Sequence, residues 1–459
     1  KLTCNASDVS LGASVTSGWG LEVKQGGTFV GGTGEHTIGS LLNADHSHSI
    51  ITLTSHANGT TLSSENAGVG SNGYALLLYS DGVFDDADGL VVFTGPSSDS
   101  YVSGHNLHNV TINSSGNSIA LQNGQTFAGN LTITAGTLTT RPAGTTENNA
   151  LTVTGELKLN GGTLTCNASD VIVRNIWGAS GTLSAPSNSS TNGLEVTGKG
   201  TSGDNNNYSM YFTGTTLTNN DGLIVLSADE NTFIRMPQAL GNFKVRNDGS
   251  STTRVHEFTV NFACDHNLTL ENGTLQSYGA TQTLTVGDDV LLTKGTLGRA
   301  SNTSAYSFGS LTIAADGIYL ATSGTTTTTD KNGVGFAVQN SGTFTHNKGT
   351  IQNNLDDTSL LFGSSSVYNW IVNAASTVHD GNLTVNNNLT INSGKTLRPD
   401  NNSRVFTVHN ITTIAGTFGH TNNTGTHKLN QVDVTGTLQI GTNQTIDLTG
   451  LRNISGTVT

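Results

Sequence analysis

The chain repeats itself, and nothing else in it so narrows the folds it can adopt. From Val367 to Phe418 it reads VYNWIVNAASTVHDGNLTVNNNLTINSGKTLRPDNNSRVFTVHNITTIAGTF. Apolar residues alternate with Thr, Asn or Ser for a few positions, a Gly or Asn cluster breaks the run, and the pattern resumes. Leu383/Val385, Leu389/Ile391 and Phe406/Val408 are such sets. Alternation over four or five residues predicts a strand with one buried face. The segment Asn388-Leu-Thr-Ile-Asn-Ser-Gly394 matches Asn267-Leu-Thr-Leu-Glu-Asn-Gly273 and Asn130-Leu-Thr-Ile-Thr-Ala-Gly136, and Leu2-Thr-Cys-Asn-Ala-Ser-Asp-Val9 recurs as Leu164 to Val171.

A Gly-Thr-Leu/Phe step at Gly162, Gly295 and Gly416 cuts the chain into modules 1–162, 163–295 and 296–416, with 417–459 beginning a fourth. The first module is longest, with an insertion expected around 24–80. The fold class predicted is all-β, a parallel β-helix or β-solenoid of tandem modules. The alternative is a string of β-sandwich domains. The modules run into one another without Pro/Ser-rich joints, which favours coils that bury their faces on each other. Leu131, Leu268 and Leu389 are expected at one inward position of successive modules. Asn130, Asn267 and Asn388 are expected at coil corners, where Asn tolerates left-handed φ and bonds its neighbouring backbone. The chain opens and stops inside strand motifs, so it is read as a window of a longer polypeptide.

Composition decides what remains. Thr, Asn, Ser and Gly dominate, with no 3.6-residue apolar period, so long helices are not expected. Charged residues are 11% and prolines only 5, which excludes charge-driven or proline-rich disorder. No apolar run approaches the length of a membrane span, and no membrane insertion is expected. The net charge is −13, and the 19 basic residues are scattered with no basic stripe, which argues against a nucleic-acid partner. Module 2 holds the most basic patch, Lys244, Arg246 and Arg254. Cys4, Cys166 and Cys264 are read as small buried side chains, since an odd count indicates no disulfide framework.

The residues that could carry chemistry gather in module 1. His46 and His48 share one strand face, Tyr74 follows, and Asp81, Asp85, Asp86 and Asp88 form an acidic run. These seven are the candidate surface-binding residues, because an insertion in one repeat maps to loops on one face. Asp85-Asp-Ala-Asp-Gly89 resembles half of a calcium loop but lacks the rest of that pattern, and its counterpart Asn219-Asn-Asp-Gly222 points to a turn. A glycosidase would need two carboxylates about 5–9.5 Å apart across a groove. The doublets Asp288/Asp289 and Asp356/Asp357 point to opposite faces of a strand and make poor pairs. No catalytic residue, cofactor or metal site is expected.

The stretches Gly342-Thr-Phe-Thr-His-Asn-Lys-Gly-Thr-Ile351, Val367-Tyr-Asn-Trp-Ile-Val-Asn373 and Asn382 to Ile391 carry a resemblance. Together they resemble the tandem GTFTHNxGTV, FYNLTIN and LTVxGxLTI arrays of very large surface proteins of bacteria and marine bacteriophages. Modules 1 and 2 depart from it, with Asp88-Gly-Leu-Val-Val and Asp221-Gly-Leu-Ile-Val where the HNxGTV core would stand. The resemblance implies a β-solenoid in an appendage, fibre or adhesin, and names no ligand. The expectation is a non-enzymatic structural segment of a long extracellular fibre or virion appendage, whose partners are other copies or neighbouring segments of the fibre. A cell-surface adhesin binding a glycan or cell surface, and a tailspike-like polysaccharide depolymerase, are the alternatives.

Overall fold

The computed structural model describes residues 1–459 except 12–18, 25, 44–49, 64–72, 79–82, 95–99, 104–106, 188–191, 202, 204, 205, 248–253, 364, 375, 376, 380, 381, 400–403, 421–424 and 443. The chain is a β-solenoid with no α-helix among the described residues. Its strands pair in parallel, each with its counterpart one coil away. Parallel strands need a crossover, which here is the remainder of the coil itself. A row of separate antiparallel sandwiches is thereby excluded. The chain forms two compact units, residues 1–238 and 239–459.

In unit 1 the strands Thr28–Val30, His36–Ile38 and Leu41–Asn43 make one coil, and Ile50–Thr52, Thr60–Leu62 and Tyr74–Leu78 make the next. Phe29 lies beside Ile51, Thr37 beside Thr61 and Leu41 beside Leu76. The stack continues without interruption, Ile51 beside Phe84 and Thr60 beside Val91. The described strands of residues 24–80, expected as an insertion, therefore lie in in-line coils. The described part of this stretch adds turns to the stack.

Further on, the strands lengthen to Asn109–Leu121, Leu131–Thr139, Leu151–Thr165 and Val171–Ser184, each bending across a corner of the coil. Leu131 is registered between Val110 and Leu157, and Leu138 between Ile119 and Leu164. All six are buried. Gly136 and Gly181 sit at these bends with φ of +76° and +88°, and a Cβ there would come within 2.0 Å of the Ser114 carbonyl oxygen and 2.2 Å of that of Gly162. Only glycine accepts both the conformation and the approach.

Unit 2 uses three short strands per coil. Phe262–Cys264, Leu268–Leu270 and Thr274–Ser277 are followed by Leu284–Val286, Asp289–Leu292 and Thr296–Gly298, then by Tyr306–Phe308, Ser310–Ile313 and Ile318–Leu320. The inward column of the middle strand runs Phe243, Leu268, Val290, Leu311, Val338. Rings fill the core: Phe308 contacts Tyr319 at 5.9 Å between centroids, Tyr319 contacts Phe344 at 5.7 Å, and Phe344 contacts Phe362 at 5.3 Å. The buried polar tips of Tyr319 and Trp370 are hydrogen-bonded. Tyr319 Oη bonds Thr326 Oγ1 at 2.8 Å, and Trp370 Nε1 donates to Asn353 Oδ1 at 3.1 Å. The three cysteines are free and buried, as expected.

Two register expectations need correction. Leu131, Leu268 and Leu389 all point inward and are buried, yet Leu268 and Leu389 do not share a column. Leu268 belongs to the middle-strand column, whereas Leu389 stacks on Trp370, in the column that begins at Phe262–Cys264. The motif marks any strand that enters from a corner, so its sequence period is not a whole number of coils. The asparagines before these leucines do stand at strand entrances, but none has positive φ. Their side chains bond between coils instead of to their own neighbours. Asn109 Oδ1 accepts the Asn130 amide (2.9 Å), and Asn130 Oδ1 accepts the Glu156 amide (2.8 Å). Likewise Asn242, Asn267 and the Asp289 amide are linked at 3.3 and 3.2 Å, and Asn369, Asn388 and the Ile411 amide at 3.3 and 3.2 Å. These ladders satisfy corner amides that would otherwise lack an acceptor.

Candidate functional site

Of the seven residues singled out in module 1, His46, His48 and Asp81 lie outside the described residues. Tyr74 opens strand Tyr74–Leu78 and is half-buried. Asp85, Asp86 and Asp88 are brought together, but as a turn. Ala87 and Asp88 have φ of 56° and 54°, and the Gly89 amide donates to the Asp86 carbonyl at 2.9 Å. Asp85 Oδ1 accepts the Ala87 amide at 2.8 Å, and Asp86 Oδ2 accepts the His108 amide. Burial pushes the Asp86 carboxyl above its usual range, partly opposed by that amide. Asp88 Oδ1 faces His108 Nδ1 at 3.3 Å.

The same turn recurs at Asn219–Gly222 and His346–Gly349. The central residues again have positive φ, and the Gly222 and Gly349 amides close back on Asn219 and His346 at 3.0 and 2.8 Å. Two successive positive φ values define a type I′ turn, which Asn, Asp and Gly favour. The DADG, NNDG and HNKG segments are thus one device, and the carboxylates of the first serve its geometry. Among the described residues no three His, Cys, Asp or Glu side chains cluster as a metal site. The Asp288/Asp289 pair diverges: Asp288 Oδ2 bonds His266 Nδ1 at 2.9 Å, and Asp289 Oδ1 accepts from Ser310 Oγ at 2.6 Å. Lys244, from the basic patch of module 2, is tied to Glu271 Oε1 at 2.7 Å.

The arrangement best suited to bind something was not singled out in the sequence. It lies on the outward face of unit 1, where register aligns Lys158, Trp177, Tyr211 and Arg235 on four consecutive coils. Strand alternation turns Ile176, Met210 and Ile234 into the core and their neighbours outward, half-buried. Lys158 Nζ stands 4.9 Å from the Trp177 ring centroid, and the Arg235 guanidinium 6.0 Å from that of Tyr211. Tyr208 extends the aromatic surface, 4.7 Å from Tyr211 and 5.4 Å from Phe233.

Beside this strip is a polar cleft of about 210 Å³, lined by Glu156, Lys158, Arg174, Asn175, Lys199 and Thr201 among others. Lys158 pairs with Glu156 at 3.2 Å and Lys199 with Glu230 at 3.5 Å. Asn175 is buried and donates to Glu156 Oε2 at 2.9 Å. Arg174 is exposed and has no carboxylate within ion-pairing distance among the described residues. A larger cleft, about 370 Å³, separates Arg141–Thr145 from Thr137, Thr139 and Thr165. Its polar groups are largely engaged in holding that loop, Thr139 Oγ1 donating to the Arg141 carbonyl at 3.3 Å and accepting from Asn167 Nδ2 at 2.9 Å.

No protein-family model, curated protein or solved structure matches the chain.

Proposed function

We propose that the chain is a non-enzymatic structural segment of a long extracellular fibre or virion appendage. The observation that supports this reading is the way coils bond to coils within each unit. Described turns within each unit bury apolar faces on one another, and corner asparagines add side-chain bonds along the stacking direction, as in the Asn109–Asn130–Glu156 ladder. Such a stack gains stability by nearest-neighbour contacts, so it extends without needing a larger core. That property suits a spacer, whose task is to hold its ends apart. The resemblance of Gly342–Ile351 and Asn382–Ile391 to surface-protein arrays leads in the same direction.

Antibodies raised against the purified chain test it. Immunogold label on filaments protruding from cells or particles of the source culture is the expected result. Label confined to the cell interior would refute the assignment. Release of reducing ends from bacterial polysaccharides by the purified chain would replace it with the depolymerase reading.

A further inference from the structure

We infer that the outward face formed by Trp177, Tyr211, Arg174 and Arg235 is a binding site for an acidic polysaccharide of the uronate class. Outward positions on this solenoid are mostly Thr, Ser and Asn, which hydrate readily and need no partner. Four consecutive coils here carry Lys, Trp, Tyr and Arg instead. The interior already holds its own apolar side chains at Ile176, Met210 and Ile234, so these rings do not complete the core.

An indole or phenol ring offers its face to the C–H face of a pyranose while its polar tip stays wet. Trp177 and Tyr211 stand on adjacent coils about 4.8 Å apart along the stack, a spacing that lets successive sugars of an extended chain follow the strip. The cations specify charge. Arg174 and Arg235 have no carboxylate partner among the described residues, and a guanidinium fork matches a carboxylate bidentately. Lys158 and Lys199 are held beside them by Glu156 and Glu230. In a chain of net charge −13, guanidinium groups without a carboxylate partner on the same face as half-buried rings amount to local complementarity for an anion.

The test is titration calorimetry of the full chain with hexagalacturonate, maltohexaose and oligothymidylate as probes. Hexagalacturonate is expected to bind and maltohexaose to bind far more weakly. Arg174→Ala should lose about tenfold or more in affinity for the uronate. Trp177→Ala and Tyr211→Ala should weaken it similarly, and Lys244→Ala in unit 2 should leave it unchanged. Arg174 is exposed, so its variant should fold, which circular dichroism checks. The proposal is overturned by absence of uronate binding at millimolar concentration, by equal binding of maltohexaose, by tighter binding of oligothymidylate, or by uronate binding that Arg174→Ala leaves intact.

Discussion

The two units solve one problem with different residues. The long strands of unit 1 from Asn109 to Ser184 turn aliphatic side chains inward, among them Ile112, Ile133, Leu157, Leu159 and Ile176. Unit 2 fills corresponding inward positions with Phe262, Tyr306, Tyr319, Phe362 and Trp370. Where rings are internal, their size and polar tips are matched by neighbours, as Asn353 matches Trp370 and Thr326 matches Tyr319. In unit 1 the fully buried rings, such as Phe93, Phe127 and Phe212, carry no polar tip, and Trp177, Tyr208 and Tyr211 lie half-buried on the outward face. The contrast separates structural aromatics from those that need another explanation.

The largest expected effect comes from removing an internal ring. Trp370→Ala should destabilise unit 2 by about 3–5 kcal/mol, since it opens a cavity and orphans Asn353. Urea unfolding followed by circular dichroism measures it, and a loss below about 1 kcal/mol would erase the distinction drawn here.

Acid should act on unit 2 next. Burial lowers the His256 and His427 pKa values to about 4, and both side chains are fully buried, His427 between Phe406 and Phe418. Below about pH 6.5 the unfolded chain binds protons that the folded histidines refuse until about pH 4. Stability is therefore intact above that window and falls through it, by up to about 3 kcal/mol per histidine at its acid end. Urea midpoints compared at about pH 7 and pH 5 should reveal the loss, and His427→Phe should reduce it.

A ladder asparagine should matter less. Asn388→Ala removes the acceptor for the Ile411 amide and should cost about 1–2 kcal/mol. Amide exchange at Ile411, faster than at its strand neighbours in the variant, is the sharper readout. The smallest effect belongs to the outward ring. Trp177→Ala should cost about 1 kcal/mol or less, mainly its contact with Lys158. A loss as large as that of Trp370→Ala would make Trp177 structural and remove the aromatic basis of the binding site.

The sequence carried the fold through strand alternation and Gly/Asn breaks, and Leu131, Leu268 and Leu389 are inward as that pattern required. It did not reveal the coil. Similar motifs at Asn267 and Asn388 enter different columns because strand entrances look alike on any face. The length around 24–80 was legible only as surplus, since a turn and a loop share Thr-, Gly- and Asn-rich composition. The DADG segment was legible as a turn from its NNDG counterpart. Lys158, Trp177 and Tyr211 were not legible as a group. They are 19 and 34 residues apart, and only the register Lys158–Trp177–Tyr211 brings them into line.

Coil length varies widely while the rungs stay aligned. In unit 1 the chain takes 31 residues from Thr60 to its partner Val91 and 19 from Val91 to Val110. From Leu194 to Ile224 it takes 30. Lengthening a flexible corner costs only about 0.6 kcal/mol per doubling, and it leaves the strands on either side in register. A lineage carrying this fold can therefore accept and discard insertions at corners almost freely. Lys199 and Thr201 sit in such a corner, between Leu194–Val196 and Tyr208–Phe212. New specificities can arise at corners of this kind while the scaffold that displays them stays unchanged.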